Sequence, residues 1–442
     1  MKKWISLFLV LTMVFAFAAC GSGGEGTDTN TDSGKGQESV SDEGEKLVVW
    51  TFTDEIQKMI ENYYLKAYPD LPYEIEVVVI PNEQYQPKLD PALASGKSAP
   101  DVFALEAAYV NKYVDSKHTA DLAAAGFDKS KTDAVLQYVL DVATDDEGKL
   151  KGLSWQATPG AFFYRRSIAK QYLGTDDPAE VQAMVSDFDK FYQTAKKIYD
   201  DSKGEVKALS SLGDLVQVFY AARENGWVVD NKFVVDPKIE ELLDMGRKLE
   251  SEGLTNQAEQ WTEQWFASMS GNDVFGYFLP TWGLHYVLKA NAENAETGQS
   301  TAGDWAMIQG PSPYFWGGTW VTMREGTKMT QAAADLISYL TLNEEFLTKW
   351  AKDTGDFLSN KNVVAAIKDD FTEPFLNDQN HYAAFAEMAP AVDASVLTGS
   401  DLDIQDVFNE QLTAYSKGEK EKDAALADFK ASVQNLFPNL EY

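Results

Sequence analysis

Leu47 to Phe52 (LVVWTF) is an unbroken apolar run rich in β-branched and aromatic residues, the pattern of a strand covered on both faces. After it, Ile56, Met59, Ile60, Tyr63 and Tyr64 fall at i, i+3, i+4, i+7 and i+8, which is one helical stripe. Tyr68-Pro69 stops that helix. A second β run, IEVVVI from Ile75 to Ile80, precedes a helix around Tyr85 to Ser95 and a third strand at Val102 to Leu105. Strand and helix in alternation predict right-handed crossovers and a parallel, doubly wound sheet, as in many α/β enzymes. Farther along, Val181 to Tyr199, Lys238 to Glu252 and Gln331 to Leu342 read as amphipathic helices, and Val274 to Leu279 and Trp305 to Ile308 as strands. Helices around Ile404 to Ser416 and Lys420 to Leu436 close the chain. No repeat of solenoid or propeller length is present.

The first residues follow another logic. Lys2 and Lys3 precede an apolar run from Trp4 to Ala19, a charged segment followed by one too short to span a bilayer comfortably. Residues 1–19 therefore read as a signal peptide. Phe17-Ala18-Ala19-Cys20-Gly21 resembles a bacterial lipobox, with Phe17 where leucine is usual, and it predicts lipidation at Cys20. The Gly, Ser, Thr, Asp and Glu of residues 20–46 cannot bury enough apolar surface to order themselves, which predicts a lipid-anchored flexible linker. Asp28, Asn30 and Asp32 alternate as in a calcium loop, but Ser33 and Ser39 stand where that loop needs glycine and glutamate, so no metal is expected there.

Composition removes several functions. With 442 residues, 44% hydrophobic, the chain holds enough apolar material for more than one core. Its 38 Lys+Arg against 69 Asp+Glu leave a formal charge of -31, which makes nucleic acid a poor partner. One cysteine and three histidines supply neither a disulfide framework nor a transition-metal site, and no cofactor is implied. The five arginines (Arg165, Arg166, Arg223, Arg247, Arg324) are few for clamping an anionic ligand. A neutral ligand is expected.

Several phrases, in order, resemble the extracellular solute-binding proteins, family 1, that serve carbohydrate ABC importers. They are LVVWTFTDE at the first strand, LASGKSAPDVFAL, GLSWQATPGAFFYRRSIA, SDFDKFYQTAKKI, WGGTWVTM, AAADLISYLTLNEEF and TGDFLSNKNVV. The resemblance runs along nearly all of the chain after the linker. It implies an α/β, two-lobe periplasmic-binding-protein-like fold of type II, each lobe a mainly parallel sheet flanked by helices, with three hinge crossings. Lobe one would take 47–155 plus 318–355, and lobe two 156–317 plus 356–442. It further implies a monomer on the extracellular face of the bacterial cytoplasmic membrane, held by its lipid anchor alone, that captures a carbohydrate and delivers it to the importer's permease subunits. The protein would not be an enzyme.

A neutral sugar needs aromatic rings for its C–H faces and carboxylates or amides for its hydroxyls. In an open α/β sheet such groups lie beyond the carboxyl ends of the strands. That rule selects Asp54 and Glu55 after the first strand and Glu106 after the third, although Asp54 serves equally as a helix N-cap and Glu106 as a solvated helix start. Trp155 stands before the first crossing and Trp282 in a strand-end loop. Trp316-Gly317-Gly318-Thr319-Trp320 lets backbone approach a ligand or a hinge between large rings, or forms a bulged strand with one tryptophan on each face, whereas an extended strand would put both on one face. Trp316, Gly318, Trp320 and Asp356 complete the expected ligand-binding set. Trp261, Trp265 and Trp350 sit on helical patterns and read as core. Many aromatics favour an oligosaccharide over a monosaccharide. The alternatives are a surface glycoside hydrolase, since abundant acids always permit a catalytic pair, a peptide or amino-acid binder on the same fold, and an adhesin using an exposed aromatic face.

Overall fold

Residues 46–442 are described in the computed structural model. The predicted signal peptide, Cys20 and all of the linker but Lys46 lie outside the described residues. Eight strands form two sheets: β1 (Lys46–Thr51), β2 (Glu74–Val79), β3 (Val102–Glu106), β4 (Gly152–Leu153), β5 (Gly160–Arg165), β6 (Gly276–Pro280), β7 (Trp305–Ile308) and β8 (Thr319–Met323). The first sheet runs β2-β1-β3-β8-β4. β1 pairs with β2 and β3 in parallel, as the alternation of strand and helix predicts. β8 lies antiparallel to β3 and to β4.

The second sheet, β7-β5-β6, is antiparallel throughout, against the expectation of a mainly parallel sheet in each lobe. The reason is visible in β5. Its six residues are all buried, with Ala161 and Phe163 packed into one apolar cluster and Phe162 and Tyr164 into another. Covering both faces makes a strand read as one hydrophobic run whichever way its neighbours point, and direction cannot then be inferred from the run.

Most predicted helices appear within a few residues of their expected ends. The stretch from Val181 to Tyr199 is instead two helices, Pro178–Met184 and Phe188–Asp201. Asp187 separates them because its carboxylate accepts from the Lys190 backbone N–H at 2.8 Å and starts the second helix afresh. No helix among the described residues is long and apolar enough to cross a membrane. The arrangement brings the segments after β1, β3 and β6 and the one before β8 to a common cavity.

Candidate functional site

The turns after β1 and β3 supply acids to that cavity. β1 leads into Thr53, whose hydroxyl accepts from the Glu55 N–H at 3.3 Å and sets the first turn of the helix Glu55–Met59. Asp54 occupies the N-cap position without making a side-chain cap bond, and it pairs with Lys58 at 2.7 Å. β3 ends at Glu106, which accepts from the Ala108 N–H at 2.9 Å and lies opposite Thr319 of β8.

Tryptophans supply the other side. Gly317 and Gly318 have φ of 70° and 116°, a turn that side chains disfavour. A Cβ at Gly317 would stand 2.9 Å from the Trp282 Nε1, so glycine is what permits the close approach. Trp282 uses that nitrogen to donate to the Trp316 carbonyl at 3.0 Å. Trp261 completes the group. Its ring centroid is 6.2 Å from Trp282 at 18° and 5.7 Å from Trp316 at 66°, while Trp282 and Trp316 are 5.7 Å apart at 64°. The cavity between acids and indoles holds about 550 Å³, within the usual range for small-molecule sites.

Of the nine residues expected at a ligand site, Asp54, Glu55, Glu106, Trp282, Trp316 and Gly318 line this cavity. Trp155, Trp320 and Asp356 lie outside it. Trp155 is fully buried and donates its Nε1 to Asp356 at 2.8 Å, and Trp350 donates to the same carboxylate oxygen at 3.1 Å. The glycine and proline around Trp155 belong to a stretch, residues 151–165, that is buried throughout. Trp320 is also buried, with its Nε1 on the Val139 carbonyl. The shared face expected for Trp316 and Trp320 fails because the strand begins only at Thr319, leaving Trp316 in the preceding loop.

Lys58, Asn82, Gln156, Trp261 and Tyr286 also line the cavity and were not among the residues expected from the sequence. Trp261 is 47% exposed and Tyr286 62%. Trp261 looked helical because Trp265 follows four residues later, but the helix starts at Glu263 and Trp261 adopts φ of 67° just before it. Trp265 and Trp350 are core residues as read.

Burial shifts the acids. Glu106 is pushed up to about 7 by desolvation, opposed by the backbone N–H groups of Ala108 and Ala107. Glu55 is raised by burial and then by the negative charges of Asp356 and Asp54. Asp356 is raised by burial against the two indole donors. A carboxyl whose folded pKa lies above its unfolded value leaves stability intact below the unfolded value and erodes it as pH climbs to the folded one. Stability is therefore expected to decline from pH 4.5, the ordinary glutamate value, to about 7. Glu106→Gln should flatten part of that slope in urea melts taken across the window. An unchanged slope would show that Glu106 is not held as described.

A family model described as bacterial extracellular solute-binding protein matches residues 58–383. The chain belongs to this family. Solved structures agree on the fold. A structure described as extracellular solute-binding protein family 1 superposes with a TM-score of 0.77 at 21% identity, covering 88% of this chain and 99% of that one. The ABC-transporter-associated binding protein of B. animalis subsp. lactis Bl-04, in complex with β-1,6-galactobiose, gives 0.68 at 20% identity, with 89% and 97% covered. The galacto-N-biose-/lacto-N-biose I-binding protein of Bifidobacterium longum, in complex with lacto-N-biose, gives 0.71 at 14% identity, with 90% and 100% covered. No curated protein matches the sequence. This solute-binding protein thus has the two-lobe α/β fold of its relatives, and its tryptophan cavity is lined by segments that follow strands of both sheets.

Proposed function

We propose that this solute-binding protein captures a neutral oligosaccharide in the cavity between Trp261, Trp282 and Trp316 on one side and Glu55 and Glu106 on the other. The observation that carries this reading is the meeting of three indoles with acids and the amides of Asn82 and Gln156 around one space. Rings take the C–H faces of a sugar, and carboxylates and amides take its hydroxyls. The sugar complexes of the two bifidobacterial relatives support the same ligand class.

In this reading, lobe one is 47–155 plus 318–355 and lobe two is 156–317 plus 356–442. They close on the ligand across three crossings, and the closed form is what an ABC importer's permease recognises. The protein acts as a monomer, tethered through diacylglycerol on Cys20 at the outer face of the cytoplasmic membrane. It performs no chemistry on its ligand.

The test is a glycan array followed by calorimetry on the strongest hit, with the sugar recovered afterwards. An intact oligosaccharide and a contraction in small-angle scattering are expected. Release of shorter sugars would replace this reading with a hydrolase, and binding without contraction would replace it with an adhesin. Binding of peptides or amino acids in place of glycans would move the protein to another ligand class on the same fold.

A further inference from the structure

A second pocket of about 380 Å³ lies away from the tryptophans, where the segment from Ser211 to Gln217, the loop from Gln257 to Gln260 and the helix Asp401–Ser416 meet. Its lining is rich in amides and hydroxyls. Two of its polar atoms, Glu250 Oε2 and Ser416 Oγ, are buried without a hydrogen-bond partner. Glu250 is 9% exposed and Ser416 2%, and the other Glu250 oxygen already accepts from Thr255 at 2.7 Å. Unpaired buried acceptors of this kind are rare, and a ligand hydroxyl would satisfy them. Lys417 lines the same space as Glu250 and Glu259.

Shared lining residues link the pocket to the tryptophan cavity by way of a third space. Gln217 lines both the pocket and this narrower space of about 150 Å³, which shares Glu106, Trp316 and Gly317 with the main cavity. The narrow space is below the usual volume of a binding site and lies between the two. One loop also feeds both ends. Gln257 and Trp261 each adopt left-handed backbone, with φ of 55° and 67°, the kind of strain that collects at binding sites. Gln257 and Gln260 face the pocket, and Trp261 faces the cavity. Gln260 and Trp265 both donate to one oxygen of the buried Asp214, at 2.9 Å and 2.8 Å, which fixes the loop between the two spaces.

We infer that this pocket is a distal subsite for the hydroxyl-rich far end of a neutral oligosaccharide whose near end rests on Trp261, Trp282 and Trp316. The inference rests on the function proposed above and adds a length requirement to it.

The test uses linear gluco-, galacto-, xylo- and manno-oligosaccharide ladders from two to seven units, titrated by calorimetry into the wild type and into Glu250→Gln and Thr413→Val. Thr413 lines the pocket and is exposed, so that variant keeps its fold even if Glu250→Gln does not. In the series that binds, affinity should rise about tenfold or more from the disaccharide to the longer members. Both variants should weaken the long members about fivefold while leaving the disaccharide unchanged. Binding that ignores length and both substitutions overturns the subsite and leaves the cavity reading standing. Failure of every ladder to bind the wild type removes the cavity reading and the subsite together.

Discussion

Trp282→Ala should weaken the strongest oligosaccharide ligand by well over tenfold, about 1.4 kcal/mol or more. Trp282 contacts both other indoles. It stacks at 18° to Trp261, meets Trp316 nearly edge-on, and ties the Trp316 loop down through its Nε1. Truncation removes a platform and frees the neighbouring one, so the loss exceeds that of a single apolar contact. Trp316→Ala should be comparably costly. Trp282→Phe should recover part of the affinity, since it keeps an aromatic ring while losing the donor and the second fused ring. Calorimetry on the array hit decides, and dissociation constants within twofold of wild type for both alanine variants would place the sugar elsewhere.

Gly160→Ala should cost about 3 kcal/mol or more of folding stability. A Cβ there would stand 1.9 to 2.3 Å from three ring atoms of Tyr314. Tyr314 has no room to yield, being fully buried and donating its hydroxyl to the Ala161 carbonyl at 3.1 Å. Gly399→Ala is the control, because its Cβ would meet nothing closer than 3.5 Å. Urea melts compare the two. A loss under about 1 kcal/mol at Gly160 would mean that β5 and Tyr314 are not packed as described.

Much of the first sheet is legible in the sequence because period and punctuation agree: β1, β2 and β3 are apolar runs separated by helical stripes. The second sheet is legible as strands and not as an arrangement, since burial on both faces erases the alternation that would betray strand direction. The candidate site divides along a similar line. Asp54, Glu55, Glu106 and Trp282 follow from the rule that loops at strand ends carry function. Trp155 and Asp356 stand in sequence near glycines, as loop residues do, while in space the buried indole donates to the half-buried carboxylate outside the cavity. Trp261 was missed for the opposite reason. Its neighbours suggest a helix, and only its backbone dihedral reveals a turn.

The loop from Gln257 to Trp261 carries a consequence for how ligand preference changes within such proteins. Its five residues lie outside both sheets, yet touch the two spaces on either side of it. Exchanging the residues around Gln260, whose amide holds the buried Asp214, would alter the lining of both spaces while leaving the strands untouched, so diversification has a cheap route here that a change within β1 or β3 would lack.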